Sequence, residues 1–381
     1  MKPFSYQQHG GYFAQVAENL EPEAAAELAG LGATRLNPVR RGLYFNAEPA
    51  ALYRIVYQTR LASRVLAPLV NFACHSPNYL YKTAQQLAWE QLLGPDESFM
   101  INARVSASRI SHSQYAALKL KDAIVDWFNE RHGRRPSVDK QQPDLVLDLY
   151  IHDNQAVISL DLAGGSLHRR GYRRETVIAP MPETLAAAVI EFSGWDGERR
   201  LVDPFCGSGT LLAEALMRRG KIPAAWLRER FGFERLPDFA PAVWQAVREE
   251  AEAAIEPVPA GLIGGSDRDP AAIRAARRNL ALLPQGDRVD LQVTPFQQLA
   301  PLNEAVIVAN PPYGIRLGDR AAAAALVREL GSFLKHKCTG SVACLYFGDR
   351  QLLKEIGLKP SAKKLVSNGG LDGVLARYQL Y

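Results

Sequence analysis

The feature that most restricts this chain is the run Leu201-Val202-Asp203-Pro204-Phe205-Cys206-Gly207-Ser208-Gly209-Thr210-Leu211-Leu212. Apolar residues lead into an acid, a glycine turn follows, and a helical pattern opens at about Thr210. Gly207 and Gly209 let the backbone turn tightly and let a ligand approach it. The new helix presents free N–H groups at its start. Asp203, at the carboxyl end of a strand, faces the crevice where open α/β sheets bind ligands.

The residue types narrow the ligand. A dinucleotide fingerprint needs Gly or Ala three residues after the second glycine, where this chain has Leu212; the Gly-Lys-Ser/Thr of a nucleoside-triphosphate loop is absent. An acid in the turn repels phosphate but suits an ammonium group, such as the one on the amino-acid end of S-adenosylmethionine. Asp203, Phe205, Gly207, Gly209 and Thr210 are therefore candidate cofactor contacts. A second strand, Gly261 to Gly265, ends at Ser266-Asp267, and a helix begins at Asp269-Pro270. Asp267 is placed to accept from ribose hydroxyls, with Arg268 beside it, and Asp269 to cap the helix. The spacing between these two acids is longer than the usual distance of about 20 residues. Roughly Lys221 to Pro259 must then be an insertion.

The reacting centre is expected at Asn310-Pro311-Pro312-Tyr313, which follows the buried strand Ala305 to Ala309. Neither proline has an N–H, and Pro312 pushes Pro311 towards an extended conformation. The loop therefore presents acceptors, the Asn310 side-chain oxygen and the Pro311 carbonyl, with Tyr313 as an aromatic platform. This set suits an exocyclic base amine, whose lone pair is delocalised into the ring. Two acceptors gripping its N–H bonds favour a tetrahedral nitrogen and free that lone pair. The same chemistry serves guanine N2 and adenine N6.

From about residue 180 onward strands alternate with helices, which predicts a doubly wound parallel sheet. The terminal runs meeting at Asn368-Gly369-Gly370 predict an antiparallel hairpin at its end. The first 65 or so residues read as a small ferredoxin-like unit. Its expected strands are Tyr12 to Val16 and Gly42 to Phe45, its helices Glu21 to Leu31 and Pro49 to Arg60. Further on, Asn78 to Leu93 and Ser113 to Arg131 read as helices. Met100 to Ser106, Val146 to Ile151 and Gln155 to Leu160 read as strands. The 381 residues fit two or three domains. No run of about 18 apolar residues predicts a membrane span, and Met1 to Gly11 lacks a signal-like apolar core. Four cysteines without a C-x-x-C pair, and seven histidines without metal-ligand spacing, predict reduced thiols, a cytoplasmic location and no metal. A net charge of +5 permits a polyanionic partner without requiring one.

Asp203 to Thr210 and Asn310 to Tyr313 resemble the first and fourth motifs of class I amino-methyltransferases, and the terminal hairpin resembles the reversed last strand of that fold. Leu167 to Arg173, Ala179 to Ala186 and Ser193-Gly194-Trp195 resemble the THUMP-domain enzymes of the RlmL type, guanine-N2 methyltransferases of 23S rRNA. The resemblance covers nearly the whole chain. It implies a ferredoxin-like segment over 1–65, a THUMP RNA-binding domain over 66–165 that begins as early as about 44, and an S-adenosylmethionine-dependent methyltransferase domain over 166–381. It also implies that Met181, Glu183 and Thr184 border the cofactor, that Asp203 and Asp267 bind it, and that Asn310 to Tyr313 hold the target amine. The chain departs from the family pattern at two places. It ends at Tyr381, where some relatives continue into a second methyltransferase domain, and Gln292 to Phe296 lacks the acid that commonly contacts adenine, leaving the backbone around Phe296 for that task.

Basic residues of the N-terminal half and the following linker, among them Arg104, Arg109, Lys119, Arg169, Arg170 and Arg173, are candidate RNA contacts. The expected function is methyl transfer to guanine N2 of RNA, with 23S rRNA foremost. The alternatives are adenine-N6 or tRNA guanine-N2 methylation, and a non-catalytic RNA-binding factor of ribosome assembly. The sequence does not define an oligomeric state.

Overall fold

The computed structural model describes residues 3–175, 181–312, 320–368 and 371–381. The short helix α1 (Ser5–His9) leads into β1 (Gly11–Gln15), α2 (Glu21–Gly30), β2 (Thr34–Val39), β3 (Gly42–Asn46), α3 (Pro49–Gln58) and β4 (Arg64–Ala73). With α1 set aside this is a βαββαβ unit, richer than the sequence pattern suggests by two strands, β2 between α2 and β3 and β4 after α3. Two features hide the extra strands. β2 is an exposed edge carrying Pro38, with its register shifted between Thr34 and Asn37, and β4 shifts register between Pro68 and Val70.

The chain continues through α4 (Pro77–Ala84), β5 (Ser98–Ser106), α5 (Ser113–His132), β6 (Ser137–Val138), β7 (Leu145–His152) and β8 (Gln155–Asp161). The helix predicted over Asn78 to Leu93 stops at Ala84. The fully buried Trp89 takes the Ala84 carbonyl with its indole N–H at 2.9 Å and starts a short 3-10 turn. All eight strands form one sheet in the order β2-β3-β1-β4-β8-β7-β5-β6. β4 pairs with β1 on one side and β8 on the other, so the expected boundary at 65/66 falls inside a strand shared by both halves.

The C-terminal half runs α6 (Glu183–Ser193), β9 (Leu201–Asp203), α7 (Thr210–Arg219), α8 (Pro241–Ala253), β10 (Ile263–Asp267), α9 (Pro270–Leu280), β11 (Asp290–Val293), β12 (Val306–Ala309), α10 (Arg320–Lys337), β13 (Val342–Phe347), β14 (Ala362–Asn368) and β15 (Leu371–Gln379). Its seven strands take the order β11-β10-β9-β12-β13-β15-β14, parallel except for β15, which runs antiparallel to β13 and β14. The expected doubly wound sheet with a reversed terminal hairpin is thus present, with Gly369 and Gly370 outside the described residues.

The insertion between α7 and β10 joins the halves. Tyr53 of α3 packs on Phe233 at 4.7 Å between ring centroids and on Trp244 at 6.4 Å, and Tyr57 meets Trp244 edge-on at 5.2 Å. Tyr6 donates to Asp238 Oδ1 at 2.6 Å. One hydrophobic core therefore runs from Phe4 through Phe233 to Leu375.

Candidate functional site

The chain adds β9, β10 and β11 towards one edge and then returns to place β12 on the other side of β9. That reversal opens a crevice at the carboxyl ends of β9 and β12, the position where such sheets bind ligands. Parallel pairing of Ile307 with Val202 and of Gly265 with Asp203 brings Asp203, Asp267 and Asn310 to the same sheet edge.

Asp203 is 1% exposed, and its Oδ1 accepts the Phe205 N–H at 2.9 Å. Burial pushes its carboxyl up to about 8, with Asp267 adding to the effect. A carboxyl held this way ionises readily only when a cation arrives beside it, which fits the ammonium of S-adenosylmethionine. Asp267 closes the glycine loop by accepting the Gly207 N–H with Oδ2 at 3.0 Å and the Asp269 N–H with Oδ1 at 3.0 Å. Each oxygen keeps acceptor capacity for a ribose hydroxyl. Asp269 caps α9 through the Ala271 N–H at 2.8 Å. Gly209 sits at φ 85°, and a Cβ there would lie 3.2 Å from Ala276 Cβ, so glycine permits both the turn and the approach of α9.

Around this loop, Phe205 packs at a tilt of 41° on Phe296 at 5.0 Å, and Phe296 meets Phe333 edge-on at 5.6 Å. Phe296 is buried in that cluster, so its ring serves the core. Thr210 opens α7, and Arg268 is exposed beside Asp267. Met181, Glu183 and Thr184 are buried at the start of α6. Burial raises the Glu183 carboxyl despite Arg173, whose Nη2 lies 3.2 Å from Oε2 without forming a hydrogen bond.

Asn310 follows β12 with its Oδ1 buried and without a hydrogen-bond partner among the described residues. Pro311 is buried and Pro312 exposed, while Tyr313 lies outside the described residues. A buried carbonyl oxygen left unpaired costs about 1–3 kcal/mol, so this oxygen is poised to accept from a donor.

The structure corrects two of the expected RNA contacts. Arg170 is 3% exposed: its Nε meets Glu214 Oε1 at 3.3 Å, and its Nη atoms donate to the Leu167 and Arg60 carbonyls at 2.9 and 2.6 Å. It is a buried clamp between the halves. Arg173 turns inward to the Met181 carbonyl at 2.6 Å. Arg109 and Arg169 are exposed, Lys119 lies 3.7 Å from Asp122, and Arg104 reaches Asp148 at 3.0 Å.

Sequence reading missed Asn279. This residue is 1% exposed: its Oδ1 accepts the Arg174 and Glu175 N–H groups, each at 3.0 Å, and its Nδ2 donates to the Glu175 and Ser208 carbonyls at 2.9 and 3.0 Å. It ties the linker to the glycine loop. An asparagine in the last turn of a helix gives no sequence signal of that task. Ser266 Oγ, buried beside Asp267 and unpartnered among the described residues, was also missed.

The sheet order, its reversed last strand and an acid–glycine loop facing Asn310 define a class I S-adenosylmethionine-dependent methyltransferase. The chain belongs to the RMKL-like methyltransferase family, whose profile matches residues 170–377. A THUMP domain matches residues 74–161 and an RlmL ferredoxin-like domain residues 12–66. A putative RNA methyltransferase of Synechocystis sp., slr0064, is 38% identical over 97% of both chains. Ribosomal RNA large subunit methyltransferase K/L of Syntrophotalea carbinolica is 38% identical over 97% of this chain and 53% of its own length. The chain thus spans about half of that relative. The crystal structure of SMU.472, a putative methyltransferase complexed with SAH, superposes with a TM-score of 0.84 at 26% identity, covering 100% of this chain and 99% of the other.

Proposed function

We propose that this protein methylates the exocyclic N2 of a guanine in RNA, with ribosomal RNA of the large subunit as its substrate. The observation that carries the reading is the buried Oδ1 of Asn310, unpartnered among the described residues, at the crevice shared with Asp203. S-adenosylmethionine supplies an electrophilic methyl group on a sulfonium. Asp203 ionises against the cofactor ammonium, and Asp267 receives the ribose hydroxyls while holding Gly207. Asn310 Oδ1 and the Pro311 carbonyl accept the two N–H groups of the target amine and draw its nitrogen towards tetrahedral geometry. Asn310 is no base, so the amine proton leaves to solvent after transfer. Alignment of amine and methyl carries much of the remaining rate. The names of the relatives support RNA as the substrate class, and the THUMP match supports the N-terminal half as the part that reads it.

The test is mass spectrometry of nucleosides from rRNA and tRNA of a deletion strain, with the purified full chain restoring the missing modification in vitro. Loss of an N2-methylguanosine from large-subunit rRNA is the expected result. Loss of N6-methyladenosine, or of a tRNA methylguanosine, would transfer the same site to another target. No lost modification together with tight cofactor binding would indicate a non-catalytic binding factor.

A further inference from the structure

One face of the eight-stranded sheet packs on its helices; the other is buried at its centre, at Leu66, Asp148, Ser159 and Asp161, and exposed at Tyr44 and Tyr150. Residues paired across adjacent strands share a face, so the registers put Phe13, Gln15, Tyr44, Arg104, Asp148 and Tyr150 on this second face. β1 and β5 are four strands apart, which in a flat sheet is about 19 Å. Yet Arg104 Nη1 donates to Gln15 Oε1 at 2.6 Å, while its Nη2 holds Asp148 Oδ1 at 3.0 Å. The sheet is therefore curled into a trough with Arg104 spanning it. Tyr44 on β3 and Tyr150 on β7 are also four strands apart. Arg104, which lies 5.9 Å over the Tyr150 ring, bonds Gln15, two residues along β1 from the Phe13 that packs on Tyr44, so the curl sets both phenols along one trough. Burial, with Tyr150 adding to it, raises Tyr44.

Both rings are accessible, Tyr44 at 49% and Tyr150 at 42%. Each is backed by another aromatic group. Phe13 lies 5.0 Å behind Tyr44, in space that a Cβ on Gly42 would fill, and His152 stacks on Tyr150 at 6.1 Å and 14°. Arg104 sits 5.9 Å over the Tyr150 ring. Arg109, exposed and without a salt bridge among the described residues, follows β5 at one end of the trough and adds positive charge there.

We propose that this trough is a stacking slot for an unpaired nucleotide of the RNA substrate, its base held between Tyr44 and Tyr150 and its phosphates beside Arg104 and Arg109. Paired, half-exposed aromatic rings with guanidinium groups alongside suit single-stranded nucleic acid, because every base has a stacking face. A duplex cannot enter, since its bases are already stacked. The slot rests on the RNA reading above and gives the N-terminal half a definite preference, for a loop or bulge over a helix.

The test uses the full-length chain and a fluorescein-labelled single-stranded oligoribonucleotide in anisotropy titrations, with duplex RNA as competitor. Tyr44→Ala and Tyr150→Ala are each expected to weaken single-strand binding about 5- to 100-fold. Tyr44→Phe and Tyr150→Phe should bind as wild type, and all four variants should bind S-adenosylmethionine normally. Photocrosslinking with 4-thiouridine in the strand should map to the peptides holding Tyr44 and Tyr150. Unchanged affinity in both alanine variants, better competition by the duplex, or crosslinks confined to other surfaces would overturn the slot while leaving the RNA reading in place. A wild-type chain that binds neither single strand, duplex nor rRNA would overturn both.

Discussion

Asp267 Oδ2 accepts the Gly207 N–H at 3.0 Å, so the end of β10 holds the shape of the glycine loop that follows β9. The acid read from the sequence as a ribose contact is equally a brace for the neighbouring loop. Asp267→Ala leaves the Gly207 and Asp269 N–H groups without that acceptor. The expected cost is about 1–3 kcal/mol of stability, with a parallel loss of cofactor affinity. Asp267→Asn retains one acceptor oxygen and should lose less of each. Thermal denaturation and calorimetric titration measure the pair, and a variant that loses affinity alone would show that the brace is unimportant.

Asp203 makes stability depend on pH in a defined sense. Its carboxyl is raised from 3.8 to about 8 by burial, so between those values the folded chain holds a proton that the unfolded chain has released. Its contribution to stability is therefore greatest below the unfolded value and declines as pH rises towards the folded one. Asp203→Asn should flatten that decline in urea denaturation across the window. Cofactor binding near pH 7 should release a proton from Asp203 as it ionises against the ammonium. Calorimetry in buffers of different ionisation enthalpy reads the release directly, and Asp203→Asn should abolish it. Asp203→Ala should also weaken binding by roughly 1.5–3 kcal/mol, through loss of a charge-assisted hydrogen bond.

Asn310 should act in the transition state. Asn310→Ala is expected to slow single-turnover methyl transfer about 10²–10³-fold with cofactor and RNA affinities nearly unchanged. Asn310→Asp keeps an acceptor but adds negative charge beside a sulfonium, so tighter cofactor binding with partial activity is expected. A near-normal rate for the alanine variant would place the reacting centre elsewhere.

Asn279 offers a test of the linker. Asn279→Ala strands two backbone N–H groups and two carbonyls, for an expected loss of about 2–4 kcal/mol. Asn279→Asp should be comparably damaging, because a carboxylate would face the Ser208 and Glu175 carbonyls. Limited proteolysis should then cut near Glu175 faster than in wild type, and cofactor affinity should fall because Ser208 belongs to the glycine loop.

The halves should not separate cleanly. Residues 166–381 expressed alone would expose Phe231, Phe233 and Trp244, which pack on Tyr53 and Tyr57 in the full chain. That fragment is expected to aggregate. In the full chain, Phe233→Ala should cost about 3–5 kcal/mol, as Phe233 is fully buried. A monomeric, cofactor-binding fragment would show that the shared core is dispensable.

The sequence by itself determined the methyltransferase half and its loops. Strand, acid and glycine turn lie within eleven consecutive residues from Leu201 to Leu211, and Asn310 follows its strand directly, so local backbone rules were enough. Periodicity likewise located α2, α3 and α5, whose ends carry local signals such as Pro22 in the first turn of α2 and Gly133, at φ 63°, closing α5.

Tertiary structure alone decided what depended on distant partners. Arg170 looked like a phosphate contact within a basic run, but Glu214 and the Arg60 carbonyl turn it inward. Asn279 became the tie between linker and loop because α9 lays it against Ser208 and Glu175. β4 acquired its strand identity from β1 and β8 rather than from its own interrupted pattern. The trough exists only because the sheet curls far enough for Arg104 to reach Gln15, 89 residues away in the chain. A side chain's charge and shape are written in its own codon position, but its burial and its partner are properties of the packed whole, and those are what separate a clamp from a contact.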